Sequence, residues 1–375
     1  MDFESSRQIS PVSGEDVSYL QVGDPSFDTP AHICKAAEEA MAQGYTHYSS
    51  YNGEEALRVA ISDMLARDLD APRQPDEVLI TNGATQGIYL TYAAFINPGD
   101  EVLIYAPSYW LYYRNARLVG ATPVAVPLLS DEFRPSKKEL EKRISSKSRM
   151  IIFCNPNNPT GTVFTQKEIE EIAEVAIKHD LLIVTDEPYY KFVYDGRKHI
   201  CISSLKEVQD RTIMLGTLSK AYAMTGWRVG YLAAAKNLVT PLIPLQFTQI
   251  GTVNTMAQRA AIAALQGPQD CVETMRIEYD KRRRLTHQLL NDIDGFQCHL
   301  PEGAYYAFPR FDFKMGANDL AEYLAKHRVI IRSGETYGPA GKGHIRISFS
   351  PGEAEIREGL RKISEAVGVL ERPET

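Results

Sequence analysis

Six short runs of nearly continuous apolar residues punctuate the middle of this 375-residue chain. They are Val78-Leu79-Ile80-Thr81, Val102-Leu103-Ile104-Tyr105, Met150-Ile151-Ile152-Phe153, Leu182-Ile183-Val184-Thr185, Thr212-Ile213-Met214-Leu215 and Val229-Gly230-Tyr231-Leu232. A strand wetted on one face alternates apolar and polar residues, and these do not, so they read as mostly parallel strands covered on both sides. The segments between them carry helix starts. Ser136 with Glu139 and Thr165 with Glu168 have capping-box spacing, the second leading into Ile169, Ile172, Ala173 and Ala176 on one helix face. Pro98-Gly99-Asp100 and Asn157-Asn158-Pro159-Thr160-Gly161 mark turns. Strand and helix in alternation give a doubly wound α/β structure, which places ligand groups at the carboxyl ends of its strands.

After about residue 255 the pattern changes to a long helical stretch through Tyr279 and the basic cluster Lys281-Arg282-Arg283-Arg284, which reads as a solvated helix face. Ala304–Phe308 and His344–Phe349 then read as strands of a smaller α+β unit. The length suits one large α/β domain with a smaller companion, and no repeat, low-complexity tract or flexible linker interrupts it. A hydrophobic content of 44% with 24% charged residues is that of a soluble globular protein. The net charge of −7 argues against a general binder of nucleic acid or anionic membranes, so any phosphate affinity is local. Cys34, Cys154, Cys201, Cys271 and Cys298 are scattered and odd in number, as expected of reduced thiols in a cytoplasmic protein. Neither the acidic start Met1-Asp2-Phe3-Glu4 nor any apolar run predicts export or membrane insertion, and no metal-ligand spacing stands out.

Thr217-Leu218-Ser219-Lys220, followed by Gly226-Trp227-Arg228-Val229-Gly230, carries the chemistry. A lysine beside a second cation and partly desolvated has its ammonium form disfavoured, which exposes a nucleophilic amine. Thr217 and Ser219 supply hydroxyls, and the Arg228 fork can grip phosphate oxygens. A Ser-Lys pair on its own is more often a surface lysine in an ion pair. The whole run, however, resembles the cofactor-lysine signature of class I/II aminotransferases, members of the fold-type I pyridoxal-phosphate enzymes. Four further segments match that family in order, so the resemblance spans about residues 19 to 350.

The resemblance implies a mostly parallel seven-stranded central sheet with helices on both faces, plus a smaller α+β domain. It places an N-terminal arm at residues 1–34, a large cofactor domain at 35–275 and a small domain at 276–375. It implies pyridoxal 5′-phosphate bound to Lys220. Asp186, in Asp186-Glu187-Pro188-Tyr189, would pair with the pyridine nitrogen, while Tyr189 and Asn158 would bond the phenolic oxygen. Gly83, Ala84 and Thr85, between a strand and a helix, would form the phosphate cup with Thr217, Ser219 and Arg228, since a helix start attracts anions. Tyr109 would cover the ring face. Arg346 would bind the substrate α-carboxylate, with Gly23 and Asn158 lining the same pocket. Tyr48 would reach the phosphate of a neighbouring subunit, making the active unit a homodimer.

The implied activity is transfer of an amino group between an L-amino acid and a 2-oxo acid by a ping-pong mechanism, with Lys220 as the acid and base. Four departures from the family pattern stand out. Thr217 and Tyr109 are mild exchanges; Thr85 stands where some aspartate-specific members carry lysine; and Arg332-Ser333-Gly334 replaces a commoner x-Pro-Gly. Tyr19, Tyr305 and Tyr337 hint at an aromatic pocket. Two other readings stay open: a lyase or decarboxylase using the same site, and a ligand-sensing module of a regulator, for which a basic DNA-binding domain ahead of Gly23 is missing.

Overall fold

The computed structural model describes residues 16–371, so the reading of Met1–Glu4 falls outside the described residues. A short strand β1 (Ser18–Tyr19) comes first, and the six apolar runs then appear as strands of one sheet. That sheet comprises β2 (Val78–Thr81), β3 (Glu101–Ala106), β4 (Thr122–Pro127), β5 (Ser148–Cys154), β6 (Leu182–Asp186), β7 (Thr212–Thr217) and β8 (Gly230–Ala233). Its order is β2-β8-β7-β6-β5-β3-β4, with β8 antiparallel to both neighbours and every other pair parallel. The expected seven-stranded, mostly parallel α/β architecture is therefore present. The strand absent from the apolar reading is β4, whose Pro123 and Pro127 argue against a strand in the interior of a sheet. At this edge their missing N–H groups leave no ladder bond broken.

Successive residues of each strand enter different cores, as the two-residue period demands. Val102, Ile104, Met150, Ile152, Val184 and Ile213 pack with Tyr92, Tyr112 and Ala116 of helices Ala84–Phe95 and Trp110–Leu118. Leu103, Ile151, Phe153 and Ile183 face the other way, against Ile169, Ile172 and Ala176 of helix Gln166–Lys178. A third cluster sets Val78, Ile80, Met214 and Tyr231 under the helices at Ala31–Ala42, Glu55–Leu69 and Thr255–Gln266. Each such buried side chain contributes roughly 1.5–3 kcal/mol. The in-register parallel ladder carries Cys154 level with Asp186, and Asp186 level with Leu215, so the strand ends form one rim.

The capping expectation holds fully at Thr165, which accepts from the Glu168 amide while Glu168 accepts from the Thr165 amide at 2.7 Å. Only half of it holds at Ser136. Its hydroxyl accepts from the Glu139 amide, but the Glu139 carboxylate is engaged by Lys142 at 2.6 Å.

The C-terminal part contains β9 (Phe296–Gln297), β10 (Tyr306–Ala307), β11 (Arg310–Phe311), β12 (Val329–Ile330), β13 (Arg332–Ser333) and β14 (Ile345–Ser348). β14 lies between β10 and β13, β9 pairs with β11, and β1 joins β12. Helix Asp270–Asn291 runs unbroken through the position expected to separate the large and small domains.

That helix overturns half of one expectation. Within Lys281-Arg282-Arg283-Arg284 the end residues Lys281 and Arg284 are exposed, but Arg283 is fully buried and Arg282 nearly so. The buried positions Tyr279, Arg282, Arg283, Thr286 and Leu290 have the spacing of an inward helix stripe, with arginines filling places usually held by apolar residues. Arg283 makes a two-pronged bond to Asp195, 2.8 Å on each arm, and further contacts to Asp280 at 2.6 Å and the Pro301 carbonyl at 2.7 Å. Arg282 donates to Ser26 Oγ and to the carbonyls of Ser350 and Pro351. Arg283→Ala is expected to lower unfolding free energy by about 3 kcal/mol, since it breaks a buried charge network. Lys281→Ala stays within about 0.5 kcal/mol. Urea unfolding midpoints of the two variants check this.

Candidate active site

The sheet rim begins with an anion cup. After β2 the chain turns through Asn82 and Gly83 into helix Ala84–Phe95, and Gly83 sits at φ 72°, a conformation that strains any residue with a Cβ. Among the described residues no side chain caps this helix start, so the amides of Ala84 and Thr85 are left for an outside acceptor. Arg228 closes the other side, with one guanidinium nitrogen 2.3 Å from where a Gly83 Cβ would stand. The Arg228 backbone is itself left-handed, φ 56°, which for a non-glycine residue costs of order 1–3 kcal/mol. Gly230 makes the approach feasible. A Cβ there would lie 2.6 Å from the Ala84 nitrogen, so β8 could not lie against the cup. Thr217 and Ser219 hydroxyls are 2.9 Å apart at the end of β7. Gly83, Ala84, Thr217, Ser219 and Arg228, separated by more than a hundred residues in sequence, thus converge, and Thr85 follows in the same helical turn.

Beside the cup stand two groups of opposite charge, Asp186 buried and Lys220 half-buried. Lys220 donates from Nζ to the Gly23 carbonyl at 2.8 Å. Burial brings its pKa down to about 8; Asp24 opposes the shift, and Arg228 and Arg346 add to it. Asp186 ends β6, and burial raises its carboxyl to about 7 against the hydrogen bond from Tyr112, with Glu187 adding to the rise and Lys220 opposing it. Tyr112 donates to Oδ2 at 2.6 Å, whereas Oδ1 is buried with no hydrogen-bond partner among the described residues. A protonated ring nitrogen would satisfy that oxygen. Behind it, Glu187 is held by His199 at 2.7 Å and by the Thr185 hydroxyl at 2.5 Å.

The far wall comes from β10 and β14. Arg346, on β14, is buried and donates to Asn158 Oδ1 at 3.1 Å and to the Gln21 carbonyl, and its Nε has no partner among the described residues. Its guanidinium lies 4.2 Å from the Tyr306 ring centroid and 5.1 Å from that of Tyr337. The Tyr306 hydroxyl bonds that of Tyr189 at 2.9 Å, and Tyr305 donates to the Gly23 carbonyl at 2.9 Å. Gly23, Asn158, Tyr189, Lys220 and Arg346 are therefore tied into one network. The loop holding Asn158 is fixed by Asn157, which bonds the Pro107 carbonyl and the Thr160 hydroxyl. Tyr109 packs edge-on against Tyr112, ring centroids 5.7 Å apart.

Tyr48 is placed differently: it is 87% exposed, on a surface groove with His47, Ser49, Glu54 and Arg259. Sequence reasoning missed Tyr112, Gln21 and the Glu187–His199 pair. Tyr112 lies one helical turn past Tyr109, so the helix starting at Trp110 was the available signal. Gln21 acts through its carbonyl and carries no side-chain signature.

A lysine with a lowered pKa, a buried carboxylate and an anion cup at the carboxyl ends of parallel strands define an α/β enzyme of the kind that activates amino groups. The family model described as aminotransferase class I and II matches residues 15–363, and the chain belongs to that family. It is 38% identical over 359 residues to aromatic-amino-acid aminotransferase 2 of Thermococcus litoralis, covering 94% of this chain and 92% of that protein. It is 37% identical to an aspartate aminotransferase of Pyrococcus abyssi, with the same coverage of each chain. Among solved structures, an aromatic aminotransferase from Pyrococcus horikoshii matches with a TM-score of 0.92 and 37% identity, covering 95% of this chain and 96% of that one. The protein is an enzyme that transfers amino groups, and the lyase reading is not favoured.

Tyr112→Phe removes a bond that stabilises the charged form of Asp186. The Asp186 pKa should then rise further, by roughly one unit, in carboxylate-resolved NMR titration of the cofactor-free protein.

Proposed function

We propose that this chain binds pyridoxal 5′-phosphate covalently at Lys220 and moves an amino group between an L-amino acid and a 2-oxo acid in two half-reactions. The observation that carries this reading is the buried, unpartnered Oδ1 of Asp186 sharing a cleft with a lysine whose pKa is lowered to about 8. When bound, the cofactor supplies an electron-withdrawing ring and a carbon that accepts and returns the amino group.

The protein's own groups do the rest. Ala84 and Thr85 offer amides to the phosphate beside Gly83, whose own amide bonds the Thr81 carbonyl, and Thr217, Ser219 and Arg228 add hydroxyls and a guanidinium. Asp186, oriented by Tyr112, holds the ring nitrogen in its charged form. Asn158 and Tyr189 bond the phenolic oxygen, and Tyr109 covers one ring face. Arg346 clamps the substrate α-carboxylate through its planar fork, with Gly23 and Asn158 setting the pocket wall. Lys220, neutral above its lowered pKa, would serve as the base that takes the proton from the substrate α-carbon and as the acid that hands it on.

In this reading residues 35–275 carry the cofactor, while the 1–34 arm and residues 276–375 bring Gly23 and Arg346. The exposed Tyr48, with Tyr51 and Phe247 also exposed nearby and their rings 4.4 Å apart, supports a homodimer in which Tyr48 serves the neighbouring subunit. Five free cysteines and no described helix long and apolar enough to cross a membrane support a cytoplasmic enzyme.

Lys220→Ala should abolish transamination, and borohydride reduction of the wild-type holoprotein should place the label on the peptide containing Lys220; turnover by the variant refutes the assignment. Covalent uptake of the cofactor by the wild-type apoprotein has a signed pH dependence. Below a pKa of about 8 the amine is mostly protonated and unreactive, so the rate should climb roughly tenfold per pH unit there and level off above it. Stopped-flow absorbance reads this directly.

A further inference from the structure

A cavity of about 320 Å³ opens where the loop after β4 meets the C-terminal strands, and none of its lining residues belongs to the group gathered around Lys220 and Asp186. That volume lies at the lower end of the range for small-ligand sites. Phe133 and Phe308, both buried, form an apolar wall together with Leu300. A guanidinium and three imidazoles share the lining: Arg310 of β11, His344 just before β14, His287 of helix Asp270–Asn291 and His299 after β9. These polar groups are held in place. The His344 ring stacks on Phe308, with centroids 5.1 Å apart and planes 4° from parallel, and it meets Phe133 edge-on at 5.4 Å. Its Nδ1 donates to the Lys342 carbonyl at 3.1 Å, which leaves Nε2 for another partner. Arg310 sits opposite His344 in a backbone bridge and donates to Gln297 Oε1 at 3.0 Å, yet among the described residues it forms no ion pair.

We propose that this cavity is a binding site, separate from the amino-transfer site, for a small organic monocarboxylate whose charged end meets Arg310 and whose carbon body packs on Phe133, Phe308 and Leu300. Charge sets the class. Burial holds the His344 imidazole below its ordinary pKa; Arg310 adds to the fall, while the Lys342 carbonyl and Asp131 oppose it. Burial does the same at His287, where His299 and Arg283 add to the fall and the Cys298 backbone opposes it. Both rings are therefore uncharged near neutrality and act as hydrogen-bonding groups, and Arg310 is the fixed positive charge. Its planar fork answers one carboxylate. Asp131, the one acidic residue of the lining, is exposed and repels a second negative charge. The apolar wall favours an anion with a carbon body over a bare inorganic one. The cavity also stands close behind the substrate anchor. Phe308 meets Tyr337 edge-on at 6.0 Å, and Tyr337 lies 5.1 Å from the Arg346 guanidinium, so a ligand here is two ring contacts from Arg346 without filling its pocket.

The test follows the imidazole Cε1–H resonances of the pyridoxal-phosphate-loaded protein during titration with benzoate, with its neutral isostere benzamide and with inorganic phosphate. Three of the eight histidines line the cavity, and His199, bonded to Glu187 behind Asp186, reports separately on any ligand at the amino-transfer site. Benzoate should shift the His287, His299 and His344 resonances saturably. It should bind about tenfold more tightly than benzamide, which lacks the charge, and than phosphate, which lacks the carbon body. Arg310→Gln, a change at an exposed position, should weaken benzoate by about tenfold and leave benzamide within about twofold, and Arg310→Lys should restore part of the loss. Arg346→Gln should leave the three cavity shifts as they are. Absence of a saturable shift at the three histidines overturns the proposal, and so does tighter binding of phosphate than of benzoate. A benzoate response that survives Arg310→Gln but is lost in Arg346→Gln also overturns it, because the ligand would then be read from the amino-transfer site.

Discussion

Placing Lys220 and Asp186 together in a water-poor cleft is the constraint around which the rest of the molecule is arranged. Burial disfavours the charged form of each, and each is partly restored by a neighbour: Asp24 and Asp186 for the lysine, Tyr112 and Lys220 for the carboxyl. Neither group would stay in place on a mobile loop, because a chain free to move would turn both into water. The carboxylate is therefore fixed by the last ladder position of β6, paired with Cys154 on one side and Leu215 on the other. The lysine follows β7 directly, one strand away.

That placement explains why the sheet must be covered on both faces. A strand with one wet face would let water reach its end, whereas β5, β6 and β7 send alternate side chains into dry cores on both faces, Met214 of β7 joining the cluster under the helices at Ala31–Ala42, Glu55–Leu69 and Thr255–Gln266, and leave only the rim open. The reversal of β8 serves the same rim. Running antiparallel between β2 and β7, it begins where its neighbours end, so Gly230 meets the helix start at Ala84 and Arg228 arrives from the loop just before it. The cup is thus a product of strand order as much as of its residues.

Much of this was legible in the sequence, for identifiable reasons. Fully buried strands announce themselves by unbroken apolar runs, and the lysine segment carries enough fixed residues for its family to be read. β4 was not legible because its prolines are harmless only at an edge, and edge position is a tertiary fact. The capping box at Ser136 has the right letters, but Lys142 competes for Glu139, a choice that spacing does not encode. Charge alone points Arg282 and Arg283 to solvent. Their spacing with Tyr279, Thr286 and Leu290 was the stronger signal. Tyr112 and the Gln21 carbonyl escaped because their importance arises from contacts across the chain, to Asp186 and Arg346, which no local pattern records.

The buried arginines also separate by what they bind, and that separation distinguishes structure from function. Arg283 faces two carboxylates and a carbonyl in fork geometry, so its charge is neutralised within the fold and its task is to join the long helix to the Asp195 segment. Arg346 is as deeply placed but has neutral acceptors, an Nε without a partner among the described residues and aromatic faces above and beside it. A buried cation neutralised by its own fold is a strut. One surrounded by neutral groups keeps a positive potential in the pocket, and in a low-dielectric site that potential favours an anion from outside. On the proposed reading the chain uses the same side chain for both purposes, and the difference lies in whether the compensating carboxylate belongs to the protein or would come from the substrate.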